Sequence, residues 1–295
     1  MQDTLTVDAS RPAGAGVVLI FPLLLIDSLH FVFARLLLPH ISPGVSPMYV
    51  LAIATVEVGL FAMIRGRLHL KVQKRHLGFL LAIGFLVAAS TNINFEAVAF
   101  IDPGTASLLA ETYILFGVGF GLIWLRDKLT RAQIGGALVA VAGVFIITFQ
   151  SGDYMRLGSL MVLSSAFMYS VHAAIAKRYA GDIEFLDFFF FRLLCTTGFL
   201  LLFAIGRRAL AWPSTTAWLL LALVATVDVV ASRTLYYVSL RLLKMSIHSI
   251  MLTLSPVAAI CWSLLLFDTF PRPQQLLGGA AVILGVLLVT ISRKT

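Results

Sequence analysis

At 295 residues, of which 60% are hydrophobic and 12% charged, the chain departs from soluble domains, where about 45–50% apolar and 25% charged residues are usual. Its mean hydropathy of +0.97 excludes an ordinary soluble domain and points to a membrane protein. The formal net charge of +8 does not point to a nucleic-acid partner, because the basic residues fall between the apolar stretches, as orientation in a membrane requires.

The first dozen residues are polar, carry one arginine (Arg11) and lack the basic start of a signal peptide. The apolar stretch after them is too long for a cleaved segment and is expected to be an uncleaved first helix. Ten apolar stretches run near 15–38, 48–64, 77–101, 105–125, 131–149, 157–176, 185–206, 217–240, 245–267 and 274–291. Each is long enough, or nearly so, to cross about 30 Å of hydrocarbon as a helix. The runs are continuous and do not alternate every second residue, which excludes a membrane barrel. The predicted fold is therefore an all-α integral membrane protein of ten transmembrane helices.

The stretches repeat. Ser28-Leu29-His30 with Arg35 returns as Ser170-Val171-His172 with Lys177, about 142 residues on, and Ala89-Ser90 returns as Ala231-Ser232. Trp124-Leu125-Arg126-Asp127 leads to Gly135-Gly136-Ala137, as Leu266-Phe267-Asp268 leads to Gly278-Gly279-Ala280. Five stretches per copy is an odd number, so two copies threaded through a bilayer lie upside-down to one another, as in transporters built on inverted repeats. The expected organisation is a cytoplasmic segment 1–14, a first five-helix repeat 15–150 and a second, inverted repeat 151–295.

Loop charge supports this. With the N-terminus cytoplasmic, fifteen Lys and Arg residues fall inside and four outside (Arg156, Arg207, Arg208 and Arg272), as the positive-inside rule demands. The bias inverts between equivalent connections: that between the third and fourth stretches holds Asp102 and no basic residue, whereas its counterpart holds Arg241 and Lys244. Both termini are then cytoplasmic.

An ionisable side chain near the bilayer centre costs on the order of 2.5–3.5 kcal/mol on insertion scales, so it tends to face a bundle interior or a wet cavity. In chain order these are Asp27 and His30; Glu57; Ser90, Asn92, Asn94 and Glu96; Ser107 and Glu111; Tyr169 and His172; Asp187 and Arg192; Asp228, Ser232, Arg233 and Tyr236; and His248. Some have plain structural readings. Asp102-Pro103-Gly104 is a helix start, Asp127 and Asp268 end helices, and Arg192 and Arg233 pair with acids on neighbouring helices. Others stand at matched positions: His30 with His172, Ser90 and Asn94 with Ser232 and Tyr236, and Ser107 and Glu111 with His248 and Leu252 at an offset of 141. A pseudo-two-fold axis would gather the first, third, fourth, sixth, eighth and ninth stretches around one site near the midplane. The fifth and tenth stretches are almost free of polar side chains and rich in glycine, and read as scaffold or as the surface of a homodimer. Cys195 and Cys261 lie inside apolar stretches, with no disulfide framework, metal site or cofactor indicated.

These features resemble the drug/metabolite transporter superfamily and its EamA-type members, whose copies end in a proline-bearing helix, a short acidic turn and a glycine-rich final helix. The second copy follows that pattern in Leu254-Ser255-Pro256-Val257, Phe267-Asp268, Gln275, Gly278, Gly279 and Gly285. The first has Asp127, Lys128, Leu129, Thr130, Gln133, Gly135, Gly136 and Gly143, with Leu115 where the proline aligns and Asp where the family has Gly-Glu. Within the superfamily the chain is most similar to the YddG-type aromatic amino-acid exporters. The resemblance implies a basket-like bundle in the bacterial inner membrane, working by alternating access on a small-molecule substrate, in contact with membrane lipid. Tyr113, Tyr169, Tyr236, Tyr237 and Trp262 would line a pocket for a ring. His30, Asn94, Glu111 and His172, with Ser90, Ser232 and His248, would supply polar contacts. Asp27, Glu96 and Glu111 are the candidates for carrying a coupling proton.

No nucleotide-binding loop is present, so ATP is not an internal energy source. An intramembrane enzyme would need a catalytic signature such as HExxH or GxSxG, and the sequence has neither. A channel would favour repeated pore-lining rings. A nucleotide-sugar or sugar-phosphate carrier would favour several cavity cations, whereas only Arg192 and Arg233 are candidates.

Overall fold

An apolar segment in a bilayer has no water to satisfy its backbone and must close its hydrogen bonds internally, so helices result. The computed structural model describes residues 21–66, 73–124, 130–148, 153–179, 183–242 and 252–291, and every regular element among them is helical. A short helical segment at 21–27 leads to α1 (His30–Leu37), α2 (Ser46–Ile64), α3 (Gln73–Ala97), α4 (Pro103–Ala110) and α5 (Tyr113–Trp124). Then come α6 (Arg131–Thr148), α7 (Asp153–Tyr179), α8 (Phe185–Gly206) and α9 (Thr215–Val224). A π turn (Ala225–Ala231) joins α9 to α10 (Ser232–Leu242), and α11 (Ser255–Phe267) and α12 (Pro273–Ile291) follow. Among the described residues, six helical runs are long and apolar enough to span a membrane: α2, α3, α7, α8, the run from α9 through the π turn into α10, and α12.

Several predicted stretches are interrupted. The first breaks at Ser28-Leu29, the fourth at Glu111-Thr112 and the ninth at Thr253-Leu254. Hydropathy does not register such breaks, and the first two contain neither glycine nor proline. Each carries a local bond at the break: the Ser28 hydroxyl donates to the Leu25 carbonyl at 2.9 Å and the Thr112 hydroxyl to the Leu109 carbonyl at 2.7 Å. Such back-bonding offers the chain an alternative to the helix ladder. The third break stands just before Pro256, which suits a helix start.

α4 is buried from Pro103 to Leu109. At this predicted helix start Asp102 caps the helix, accepting from the Thr105 N–H at 2.8 Å and hydroxyl at 2.6 Å. α4 packs on α11, α2 on α8, and α6 on α12, while α3 lies against α7 and α8. The contacts are reciprocal. Thr55 and Thr197 meet through their hydroxyls at 3.2 Å. Gly136 faces Gly285, while Gly143 faces Gly278; a Cβ on Gly136 would sit 2.7 Å from the Gly285 carbonyl oxygen, and one on Gly278 2.7 Å from that of Gly143. The glycines of the fifth and tenth stretches thus form a seam inside one chain, where backbones touch because side chains are missing. The opposite faces carry exposed Leu138, Leu277 and Leu284, on the side that lipid would cover.

Candidate functional site

The first break leaves Asp27 at the end of one helical segment and His30 at the start of the next. Both turn toward the π turn and α10. The His30 ring nitrogen Nδ1 lies 2.9 Å from Asp228 Oδ2, and the Asp228 side chain is only 6% exposed. Asp27 Oδ1 accepts from the Ser232 hydroxyl at 3.4 Å and faces Arg233 Nη2 at 3.9 Å. From α11, Ser255 reaches Asp27 Oδ2, also at 3.4 Å. The helix breaks thus bring the start of α11 against the carboxylate at the end of segment 21–27. Phe31 and Phe95 set ring edges against His30, with centroids 5.2 and 5.8 Å away. Arg233 lies over the Tyr236 ring at 6.0 Å.

An aromatic group adjoins this charged cluster. Tyr113, the first residue after the second break, meets Tyr169 edge-on at 5.9 Å, and Tyr169 lies 5.2 Å from His172. His172 is buried, and among the described residues neither of its ring nitrogens has a hydrogen-bond partner. The Ser170 hydroxyl and Asn94 Oδ1 are unpartnered in the same sense. Arg233 is within electrostatic reach of both Tyr169 and His172. Tyr113 is within reach of Asp27, Glu111 and Tyr236, so the two groups share one region.

The two groups hold equivalent positions. Adding 142 carries Asp27 to Tyr169 and His30 to His172, and carries Tyr113 to Ser255. The geometry corresponds as well: Ser255 opens α11 and bonds Asp27, as Tyr113 opens α5 and touches Tyr169. One copy of the arrangement is charged and the other aromatic.

Of the sequence-predicted residues, Asp27, His30, Glu111, Tyr113, Tyr169, His172, Ser232 and Tyr236 gather here. Glu111 caps the C-terminal end of α4 at the second break. Ser90 lies elsewhere: its hydroxyl pairs with that of Ser165 at 2.8 Å and clamps α3 to α7. Glu96 also lies apart, accepting from Asn92 Nδ2 at 2.8 Å and pairing with Arg207 beyond the end of α8. That partnership ties the acid to Arg207, away from Asp27. Glu57 accepts from the Thr226 hydroxyl at 2.7 Å, a structural pair. His248 lies outside the described residues. The turns at Glu111-Thr112 and Thr253-Leu254 also correct the register, since they match at 142 and not at 141.

The site residues that sequence reasoning left out are Asp228, Arg233 and Ser255. A search for matched polar pairs passes over Asp228, whose counterpart at 142 is Leu86, while Arg233 and Ser255 have the uncharged counterparts Thr91 and Tyr113. Arg233 was expected to pair with an acid on another helix, and it faces Asp27. A separate open cleft of about 440 Å³ lies at the end of α1, lined by Arg35, His40, Ala99 and Phe267 among others, away from this cluster.

The sequence matches the EamA-like transporter family over residues 14–149 and again over 156–291. The chain belongs to that family. A Bacillus subtilis (strain 168) protein described as the uncharacterized transporter YdfC is 27% identical over 192 residues, 63% of this chain and 62% of that protein. A probable terminal-alkyne amino-acid exporter of Streptantibioticus cattleyicolor is 27% identical over 202 residues, 66% of each chain. The riboflavin transporter ImpX of Fusobacterium nucleatum is 20% identical, over 75% of this chain and 78% of that one. This EamA-family chain therefore spans just under two thirds of the length of the first two relatives. A solved crystal structure of a protein 17% identical in sequence superposes with a TM-score of 0.67, over 96% of this chain and all of that one, a likeness of fold alone.

Proposed function

We propose that this EamA-family transporter is a secondary carrier that exports small amphipathic metabolites, aromatic amino acids first among them, across the bacterial inner membrane by alternating access. The observation that carries the reading is the division of the site. A charged group (Asp27, His30, Asp228, Arg233) adjoins an aromatic one (Tyr113, Tyr169, His172), each built at a helix break. A molecule with an ammonium and a carboxylate at one end and a ring at the other matches both. A few placed polar groups orient such a ligand, and apolar walls hold the rest of it. Two of the relatives, named as an amino-acid exporter and a riboflavin transporter, fit the same description of a substrate with a polar and an apolar part.

The architecture behind this reading is ten spans in two inverted five-helix repeats with both termini cytoplasmic. The reciprocal contacts support it, since residues on a two-fold axis meet their own equivalents, as Thr55 meets Thr197. The paired breaks support it too, because discontinuous helices at the repeat interface are where such carriers bind their substrates.

The test is flux through the purified protein in liposomes, alongside thermal stabilisation by aromatic and aliphatic amino acids, riboflavin, sugar phosphates and nucleotide sugars. Saturable flux and stabilisation by aromatic amino acids are expected. Stabilisation by nucleotide sugars alone would overturn the substrate reading, and product formation or ion conductance without saturable flux would overturn the carrier.

A further inference from the structure

Asp228 and Arg233 are five residues apart, and a regular α-helix does not put such residues on one face. At 3.6 residues per turn they would point about 140° apart. Yet Asp228 meets His30 at 2.9 Å while Arg233 comes within 3.9 Å of Asp27, and Asp27 and His30 are neighbours across a single break. The backbone between them supplies the reason. Ala225–Ala231 is a π turn, and the Ser232 N–H donates to the Val227 carbonyl five residues back. Such a turn is an α-helix that accommodates one extra residue, so five residues close the circle that four would otherwise close. The segment Ala-Thr-Val-Asp-Val-Val-Ala contains neither glycine nor proline, and α9 before it is regular. π turns of this kind are concentrated at functional sites.

We infer that Asp228 and Arg233 are positioning residues for the site, and that the π turn sets their register. Two crosswise pairs, His30 with Asp228 and Asp27 with Arg233, hold the imidazole and the carboxylate between two segments of the chain. The other groups around them are fixed by the same arrangement: Ser232 and Ser255 on Asp27, Phe31 and Phe95 against His30, and Tyr236 beneath Arg233.

The inference makes an unusual demand of helix length. Deleting Val230 shortens the spacing to four, and an ordinary α-turn then returns both side chains to the same face. Deleting Leu219, in regular α9, rotates Asp228 by about 100° relative to the preceding helix and takes it off His30. The readout is the ring signal of His30 in full-length protein labelled with ¹⁵N-histidine, assigned by its loss in His30→Gln. The paired state is defined by the change in that signal on Asp228→Asn. The paired signal is expected in wild type and in the Val230 deletion, and absent in the Leu219 deletion. Flux of labelled L-tryptophan should follow it, within about twofold of wild type for the first deletion and down at least about tenfold for the second.

A folded Val230 deletion without the paired signal, or a Leu219 deletion that keeps it, would overturn the inference. If a deletion does not fold, the exchange His30→Asp with Asp228→His carries the test. It should recover thermal stability lost in either single change and show the paired signal at position 228, and an exchange no more stable than the singles counts against the pairing. The flux arm rests on the transport reading above, whereas the nuclear resonance arm does not. Failure of tryptophan to move in wild type would therefore sink that reading alone.

Discussion

His30 and His172 stand 142 residues apart on equivalent stretches of an EamA-family chain, and their surroundings are opposites. His30 has a carboxylate at 2.9 Å from a side chain that is almost wholly buried. His172 is the more deeply buried of the two, with no partner for either ring nitrogen among the described residues. The residue three before each differs in the same sense: Asp27 collects two hydroxyls and a guanidinium, whereas Tyr169 collects Tyr113 and the His172 ring. A duplicated scaffold has thus kept its positions and exchanged their chemistry. Under the proposed function the difference suits an amphipathic ligand, whose charged end and ring each find a matching group.

The sharpest way to break this comparison is to make one substitution at both histidines. His30→Phe removes the hydrogen-bond partner of a buried Asp228 and leaves Arg233 to offset its charge from a distance, and breaking such a pair costs up to about 3–5 kcal/mol. His172→Phe removes an unsatisfied polar group, whose burial typically costs about 1–3 kcal/mol, and leaves a ring in its place among aromatic neighbours. The first variant is expected to melt well below wild type and the second above it, both measured in the same detergent. His172→Phe should at the same time lose flux of aromatic amino acids under the proposed function, in which His172 supplies a polar contact to the substrate. A His172→Phe protein that is less stable than wild type would mean that the ring nitrogens are bonded, and the contrast would fail.

Next in size is Asp27→Asn. It removes the charge opposite Arg233 and the acceptor shared by Ser232 and Ser255. Truncating one member of a charged, hydrogen-bonded group costs about 2 kcal/mol or more, which is about a 30-fold loss of apparent affinity. The loss is expected for aromatic and aliphatic amino acids alike, since both carry the same charged end. Tyr169→Ala acts on the other half. Aromatic pairs contribute about 0.5–1.5 kcal/mol beyond simple burial, so KM for an aromatic amino acid should rise about 2- to 10-fold. For an aliphatic one it should barely move. Equal losses for both substrate types in Tyr169→Ala would show that the ring shapes the site without contacting the ligand.

How much of this was legible before the structure follows from what a sequence pattern encodes. Hydropathy gave helices and a membrane because continuous apolar runs have few other ways to fold. The repeat pointed to His30 and His172 because it compares like with like, and the helix start at Asp102-Pro103-Gly104 was readable because such a signal is local. Asp228 escaped because its partner is 198 residues away and its counterpart is Leu86, so neither periodicity nor repetition marks it. The π turn escaped for a related reason, since Ala225–Ala231 has no residue that favours it over an α-helix. Ser90 looked like a binding group because it matched Ser232, and only the neighbouring helix reveals that Ser165 occupies it. The pairing of Glu96 with Arg207, 111 residues further on, is likewise invisible to local pattern.

The smallest expected effect concerns Glu111, which belongs to neither half-site. It sits at the break between α4 and α5, within electrostatic reach of Asp27 and Tyr113, and its counterpart at 142 is Thr253. Under the proposed secondary transport, this unmatched acid is expected to carry the coupling proton. A proton carrier is needed when substrate moves against its gradient. It is not needed for one-for-one exchange of labelled and unlabelled substrate across the same membrane. Glu111→Gln keeps the size and hydrogen-bonding capacity of the side chain and removes only its titration. Exchange should therefore stay within about twofold of wild type, while uptake driven by an imposed pH gradient falls to the level of exchange alone. If gradient-driven uptake survives intact, coupling does not run through Glu111, and Asp27 becomes the acid to test, with its charged half-site carrying both substrate and proton.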